Sequence, residues 1–158
     1  MAVTADTIKN TYPLPVYNYI VEIAGEAVAF SEVSGLSLSF ETTTFKESQT
    51  GSGLRGPKIL YMPAQINPVH ITLKKGVVKG GVSIKPLYNW INQTQINQIE
   101  KKDIYIRLLD EAGAPVISWQ VINAFPTKLD APAFDANSND VAIESMELMA
   151  DRIAIEEA

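Results

Sequence analysis

Residues 103–109 read DIYIRLL, residues 116–122 read VISWQVI, and between them, at 110–115, stands DEAGAP. Both runs are rich in β-branched and aromatic residues, and the connector holds Gly113 and Pro115, so the stretch predicts a β-hairpin. Ile104, Ile106 and Leu108 fall on one face of the first strand. Ile117, Trp119 and Val121 share one face of the return strand. An alternation of two with an apolar inner face is what a sheet packed against a second layer requires.

The same period recurs toward the N-terminus. Val69, Ile71 and Leu73 alternate in residues 69–74, a strand ended by Lys74, Lys75 and Gly76. Leu36, Leu38 and Phe40 alternate with Ser37, Ser39 and Glu41 at the head of residues 36–46, which predicts a strand with one buried and one polar face, and Thr42, Thr43 and Thr44 add β-propensity. Residues 16–23 (VYNYIVEI) read as a strand after Pro13 and Pro15, turned by Ala24, Gly25 and Glu26, with residues 28–31 as a short hairpin partner. Residues 1–14 are expected to form an extended leader. Between 46 and 58 the chain passes through SQTGSGLRGP, with three glycines and a proline, the composition of a hairpin tip or loop. Two readings stand open for it: an unordered surface loop, or a contact arm that orders on assembly.

Toward the C-terminus, Pro126 and Pro132 interrupt residues 123–139, which are expected to be a long loop and not a central strand. Residues 141–149 (VAIESMELM) place Val141, Ile143 and Met149 on one face and Ala142, Met146 and Leu148 on the other. Ile153 and Ile155 extend that pattern. Asp140 as a cap would permit a helix, but the period is closer to a strand. The one helix is expected over 84–97, after the flexible link Lys79, Gly80 and Gly81. Ser83 can cap it, Pro86 suits its first turn, and Ile84, Leu87, Tyr88, Ile91 and Gln95 keep helical spacing. Trp90 lies off the centre of that stripe, either a flank of the core or a contact for a partner. Neither an internal repeat nor a low-complexity tract is present. The fold class is mainly β with one flanking α-helix, in a single domain over 1–158.

Composition narrows the function. At 46% hydrophobic and 20% charged residues, the 158-residue chain is too apolar for disorder and long enough for a core without disulfides or metals. A net charge of -5 supplies no field to draw in nucleic acid. Cysteine is absent, which removes disulfides, thiolate metal sites and thiol nucleophiles. Residues 1–10 lack the basic start and apolar run of a secretory signal, and no stretch reaches the length of a membrane span, so the expectation is synthesis in the cytoplasm without a signal peptide.

Candidate chemistry does not assemble. His70 is the sole histidine and sits inside an alternating strand with no serine or carboxylate motif beside it, so it reads as structural. The carboxylates are dispersed, and Glu156 with Glu157 reads as a solvated tail. Gly51, Gly53 and Gly56 resemble a phosphate loop only superficially, since Lys58 is not followed by Ser or Thr and no helix follows. Lys74 with Lys75, and Lys101 with Lys102, read as solvated strand ends. No catalytic residue, metal ligand or cofactor is expected. What remains is a β domain with many strand edges, and unpaired edges must be covered, as they are when neighbouring subunits join strands into one closed sheet.

Several segments in order carry a resemblance: 30–36 (FSEVSGL), 71–77 (ITLKKGV), 87–92 (LYNWIN), 109–115 (LDEAGAP), Trp119 with 123–126 (NAFP), and 137–144 (NSNDVAIE) before 148–153 (LMADRI). Over about residues 12–155 the chain resembles the tail tube family of contractile phages, and more closely the inner-tube proteins of extracellular contractile injection systems of the antifeeding-prophage and virulence-cassette type. It departs from the common pattern in extra residues around 48–57 and a long link at 78–83.

The resemblance implies a β-sandwich or partial barrel whose copies form hexameric rings, each subunit giving strands to a continuous barrel that lines a lumen. It implies stacking of the rings into a tube, and as partners a contractile sheath protein, baseplate or tube-initiator and tube-terminator proteins, and protein toxin cargo in the lumen. The negative net charge separately disfavours specific nucleic-acid binding, and the residues suggest no cofactor. Carried onto this sequence, the contacts between subunits fall on Lys46, Ser48, Gly51, Gly53, Leu54 and Arg55 of the arm, with Trp90 as a further candidate. Other readings within the class are a phage tail tube that conducts DNA, a tube-initiator paralogue, and a type VI-like secreted ring. An enzyme or ligand binder built on His70 is a weaker alternative.

Overall fold

The computed structural model describes residues 2–53, 55–78, 85–93 and 98–157. The predicted hairpin is present as β7 (Lys102–Leu109) and the first part of β8 (Pro115–Asp130), with Ile104 opposite Val121, Ile106 opposite Trp119 and Leu108 opposite Ile117. Asp110 shapes its turn, its Oδ1 accepting from the backbone N–H groups of Ala112 and Ala114 at 2.9 Å each. On the other side of β7 lies β1 (Tyr19–Ile23), followed by β2 (Glu26–Val28). The turn between them takes positive φ at Ala24 (52°) and Gly25 (85°), as a tight two-residue hairpin with right-handed strand twist demands. β2 therefore begins two residues before the partner segment 28–31 expected from the sequence, and β1 begins at Tyr19.

β8 corrects the expectation of a loop after residue 123. It continues to Asp130 and passes from this first layer into a second, where it pairs with β9 (Ile143–Ala150). Two local devices permit this. Asn123 takes φ 56°, which bends the strand, and Pro126, which has no N–H to give, sits at a register shift before Lys128. The loop proper is confined to the segment between β8 and β9. The second layer is completed by β6 (Val69–Gly76) and β3 (Glu32–Ser34), and the strand order through both layers is β2-β1-β7-β8-β9-β6-β3, all antiparallel pairs. β10 (Arg152–Glu157) pairs with β8 in the first layer. Ile153 and Ile155 thus belong to a separate strand, because the chain bends at Asp151 and crosses between layers instead of prolonging β9.

The core lies between the layers. Val21, Ile104, Ile106 and Val121 face Val69, Ile71, Leu73, Met146 and Leu148, all buried. Each comes from alternate positions of its strand, which is how period-two patterning becomes a two-layer sandwich. Helix α2 (Lys85–Asn92) packs on β8 with Leu87 and Trp90 in the core. Ser83, Ile84, Gln95 and the expected helix end near Asn97 lie outside the described residues, as does the link at 79–81. Tyr88, on the expected apolar stripe, is exposed.

Three further expectations change. The leader 1–14 is not wholly extended, since Ala5–Thr11 forms a short helix, α1, whose first turn is capped by Thr4 accepting from the Thr7 N–H. Lys75 is not a solvated strand end: it is 8% exposed and its Nζ donates to the Ala29 carbonyl at 3.2 Å, while Lys74 is half-buried, with its Nζ 3.2 Å from the Glu32 carboxylate. Residues 36–46 do not form one strand with a buried face. β4 starts at Phe40 (Phe40–Glu47) and pairs with β5 (Lys58–Ile66), a strand absent from the sequence reading, and every position of both is exposed.

Candidate functional site

β4 and β5 form a two-stranded ribbon that stands off the sandwich and packs chiefly on itself. It is the outward continuation of the β3:β6 pair. Ser34 lies opposite Thr72, and six residues on along one strand and six back along the other Phe40 lies opposite Ile66. At its root the Asn67 N–H donates to the Ser39 carbonyl at 2.9 Å and Asn67 Nδ2 donates to Ser39 Oγ at 3.2 Å. Gly35 makes the departure possible. Its φ is 89°, and a Cβ there would stand 2.2 Å from the His70 carbonyl oxygen, so the two backbones approach in a way that a side chain forbids.

The ribbon bears apolar side chains on both faces. Phe45 is opposite Leu60, with Met62 on the same face, while Phe40, Ile66, Ile59 and Tyr61 occupy the other, and all of these are exposed. A lone two-stranded hairpin in water is marginal at best, and contiguous apolar surface of this kind marks an interaction site. Lys46 stands near the tip, opposite Ile59, and Ser48, Gly51, Gly53 and Arg55 lie in the exposed connection between the strands, with Gly53 at φ 84°. Leu54 lies outside the described residues.

Beside the root is a cleft of about 590 Å³ floored by Ile106, Leu108 and Trp119 and rimmed by Val33, Leu36 and Tyr19. The Tyr19 hydroxyl donates to the Phe30 carbonyl at 2.7 Å; burial, and secondarily the Glu32 carboxylate, raise its pKa above the ordinary tyrosine value. Trp90 is apart from both features. It is 3% exposed, its Nε1 donates to the Glu100 carbonyl at 2.8 Å, and Lys102 lies over its ring, so the structure places it in the core of the subunit. His70 is exposed on β6 opposite Met149. No group of three potential metal ligands occurs among the described residues.

The sequence reading located the tip of the arm and missed its body. Ile59, Leu60, Tyr61 and Met62 were the available signal, obscured by Pro63 and by the lack of clean alternation where the register shifts between Phe40 and Thr42.

A sandwich with open strand edges and a projecting apolar ribbon presents the surfaces of a structural subunit made to be joined to others. The chain belongs to the family of the T4-like virus tail tube protein gp19, whose profile matches residues 15–154. It is a structural tube subunit of that family. Among solved structures it is similar to a chain of the PVC sheath-tube complex of an extracellular contractile injection system in the extended state, with 40% identity over 99% of this chain and 100% of that one and a TM-score of 0.86. A chain of the anti-feeding prophage tube-terminating cap shares 45% identity over the whole of both chains with a TM-score of 0.82. A chain of the PVC sheath/tube terminator shares 43% over 92% of this chain and 97% of that one, with a TM-score of 0.80. No curated protein matches the chain.

Proposed function

We propose that this chain is the repeating subunit of the rigid inner tube of a contractile injection particle. The observation that carries the proposal is the β4:β5 ribbon, apolar on both faces and unpaired at both outer edges among the described residues, which one subunit cannot cover. In rings of six the ribbons and open edges join into one cylinder around a channel, and the rings stack. Shared backbone hydrogen bonds around a closed sheet make such a tube stiff, which is what being driven through a target envelope demands. The similarity to chains from sheath-tube, tube-cap and terminator structures supports a sheath around this tube and a terminator at its end, and a baseplate initiator at its base completes the proposed particle. A protein toxin is the cargo of the lumen, and the role is mechanical, with no reaction and no cofactor.

No described helix is long and apolar enough to cross a membrane, and the assembled particle is the form that leaves the cell. The contact set includes the arm residues Lys46, Ser48, Gly51, Gly53 and Arg55, which reach toward a neighbouring ring. Negative-stain electron microscopy of the purified chain and of its native particle tests the proposal. Stacked rings of uniform bore are expected; monomers alone at high concentration, with no annular species in either preparation, would overturn it. The viral family profile favours a second reading, a phage tail tube conducting DNA. Neighbouring genes separate the two: capsid and terminase genes for a phage, toxin and AAA-type ATPase genes without a capsid for an injection system.

A further inference from the structure

The core side of the second layer ends on charge. Val69, Ile71 and Leu73 of β6 point to the core, and the next residue in that alternation is Lys75. It stands opposite Glu144 of β9, which is in step with the core residues Met146, Leu148 and Ala150. Two side chains of opposite charge therefore leave neighbouring strands toward the margin of the core. Lys75 is buried; Glu144 is half-buried, with its Oε2 closed off from solvent.

Neither group satisfies the other directly. An ammonium has three N–H groups to give, and Lys75 gives one to the Ala29 carbonyl at 3.2 Å. Glu144 Oε2 accepts from no donor among the described residues. A buried carboxylate oxygen without a donor is costly, and a nearby ammonium with N–H groups to spare is what relieves it. Both side chains line one cavity of about 10 Å³, with Phe30, Leu87 of α2 and Leu129 among its apolar walls and Ser145 as a further polar neighbour. That volume is about the least that one water molecule needs, and a buried water is held by roughly two to four polar partners.

Lys75 also has a place in the path of the chain. Residues 29–31 carry it from β2 in the first layer to β3 in the second, and each of the three is tied down. The Ala29 carbonyl accepts from Lys75, the Phe30 carbonyl accepts from the Tyr19 hydroxyl, and the Ser31 N–H donates to the Lys74 carbonyl at 2.7 Å. β3 beyond them has three residues and, among the described residues, a partner on one side only. A strand so short and so sparsely paired opens easily unless its entry is fixed.

We propose that one water molecule occupies this cavity, accepting from Lys75 Nζ and donating to Glu144 Oε2, and that this bridged pair makes Lys75 the positioning residue for the crossover 29–31 and for β3. Every group involved belongs to one subunit, so the pair stands or falls separately from the tube reading.

A structure of the unaltered chain at a resolution that shows ordered water tests the bridge without any substitution. A density peak within hydrogen-bond distance of both Nζ and Oε2 is expected; a direct contact between the two side chains, or a cavity without density, overturns the bridge. Chemical denaturation of a double-mutant cycle tests the coupling. Lys75→Met and Glu144→Leu are each expected to raise the unfolding equilibrium constant about tenfold, and the double variant about tenfold less than the product of the two. Effects that simply multiply overturn the pairing. Hydrogen exchange of the free subunit reads the positioning. Amides of residues 31–34 are expected to exchange faster than those of β7 in the unaltered chain, through local opening, and about tenfold faster again in Lys75→Met. Exchange at 31–34 that is as slow as in β7 before substitution, or that the substitution leaves unmoved, overturns the positioning role.

Discussion

Gly35 shows how a single residue directs a whole element. Its positive φ and the closeness of the His70 carbonyl let the chain leave β3 and become the ribbon. Gly35→Ala combines a left-handed conformation, which costs a non-glycine residue roughly 1–3 kcal/mol, with a backbone clash that cannot be relieved by rotating a side chain. Chemical denaturation is expected to show a loss at or above the top of that range. Tyr19 is the residue with a titration to exploit. Its pKa is raised in the folded state, so its contribution is complete below the unfolded value near 10 and is lost as pH rises through the folded value. Stability should fall above pH 10, and Tyr19→Phe should flatten part of that fall while costing about 1 kcal/mol at neutral pH through the lost bond to Phe30. His70→Ala, by contrast, is expected to leave both stability and tube formation within about 0.5 kcal/mol and unchanged morphology, as for an exposed residue outside any network. A specific loss of some activity in that variant would count heavily for the enzyme reading.

At the scale of elements, the ribbon and the sandwich are energetically separable. The sandwich buries its own apolar residues, whereas β4 and β5 leave theirs in water. Deleting residues 48–55 is therefore expected to leave a subunit with unchanged thermal stability and far-ultraviolet circular dichroism, while shortening or abolishing stacked tubes in negative stain. Tubes of normal length would remove the arm from the inter-ring contact. Phe45→Glu tests the body of the ribbon in the same way: a folded monomer is expected, because the substituted side chain meets water in the free subunit, where Phe45 is exposed, and would be desolvated wherever the proposed tube covers the ribbon. The elements that the sequence rendered legible are those whose alternation is satisfied within one chain, such as β6, β7, β9 and the first half of β8. Those it obscured carry an irregularity: Pro126 at a register shift in β8, Pro63 in β5, and the break at Asp151 that separates β9 from β10.

At the scale of the whole molecule, two open surfaces on one chain imply a polymer. The apolar ribbon and the open strand edges that one subunit leaves in water are covered between copies in the proposed tube, where a head-to-tail contact closes into a ring or propagates. Composition and period were enough to settle a mainly β, layered domain without thiol chemistry, and the order of its motifs led to the tail tube family. They could do so because alternation reports burial wherever the covering layer belongs to the same chain. Only the tertiary structure revealed that Leu38 and Phe40, apolar by pattern, are exposed, that Trp90 is core, and that β8 serves both layers. Hydrophobic patterning records that a face will be covered but not by which molecule, and that distinction is made by the direction in which the backbone turns at Gly35 and Asn123.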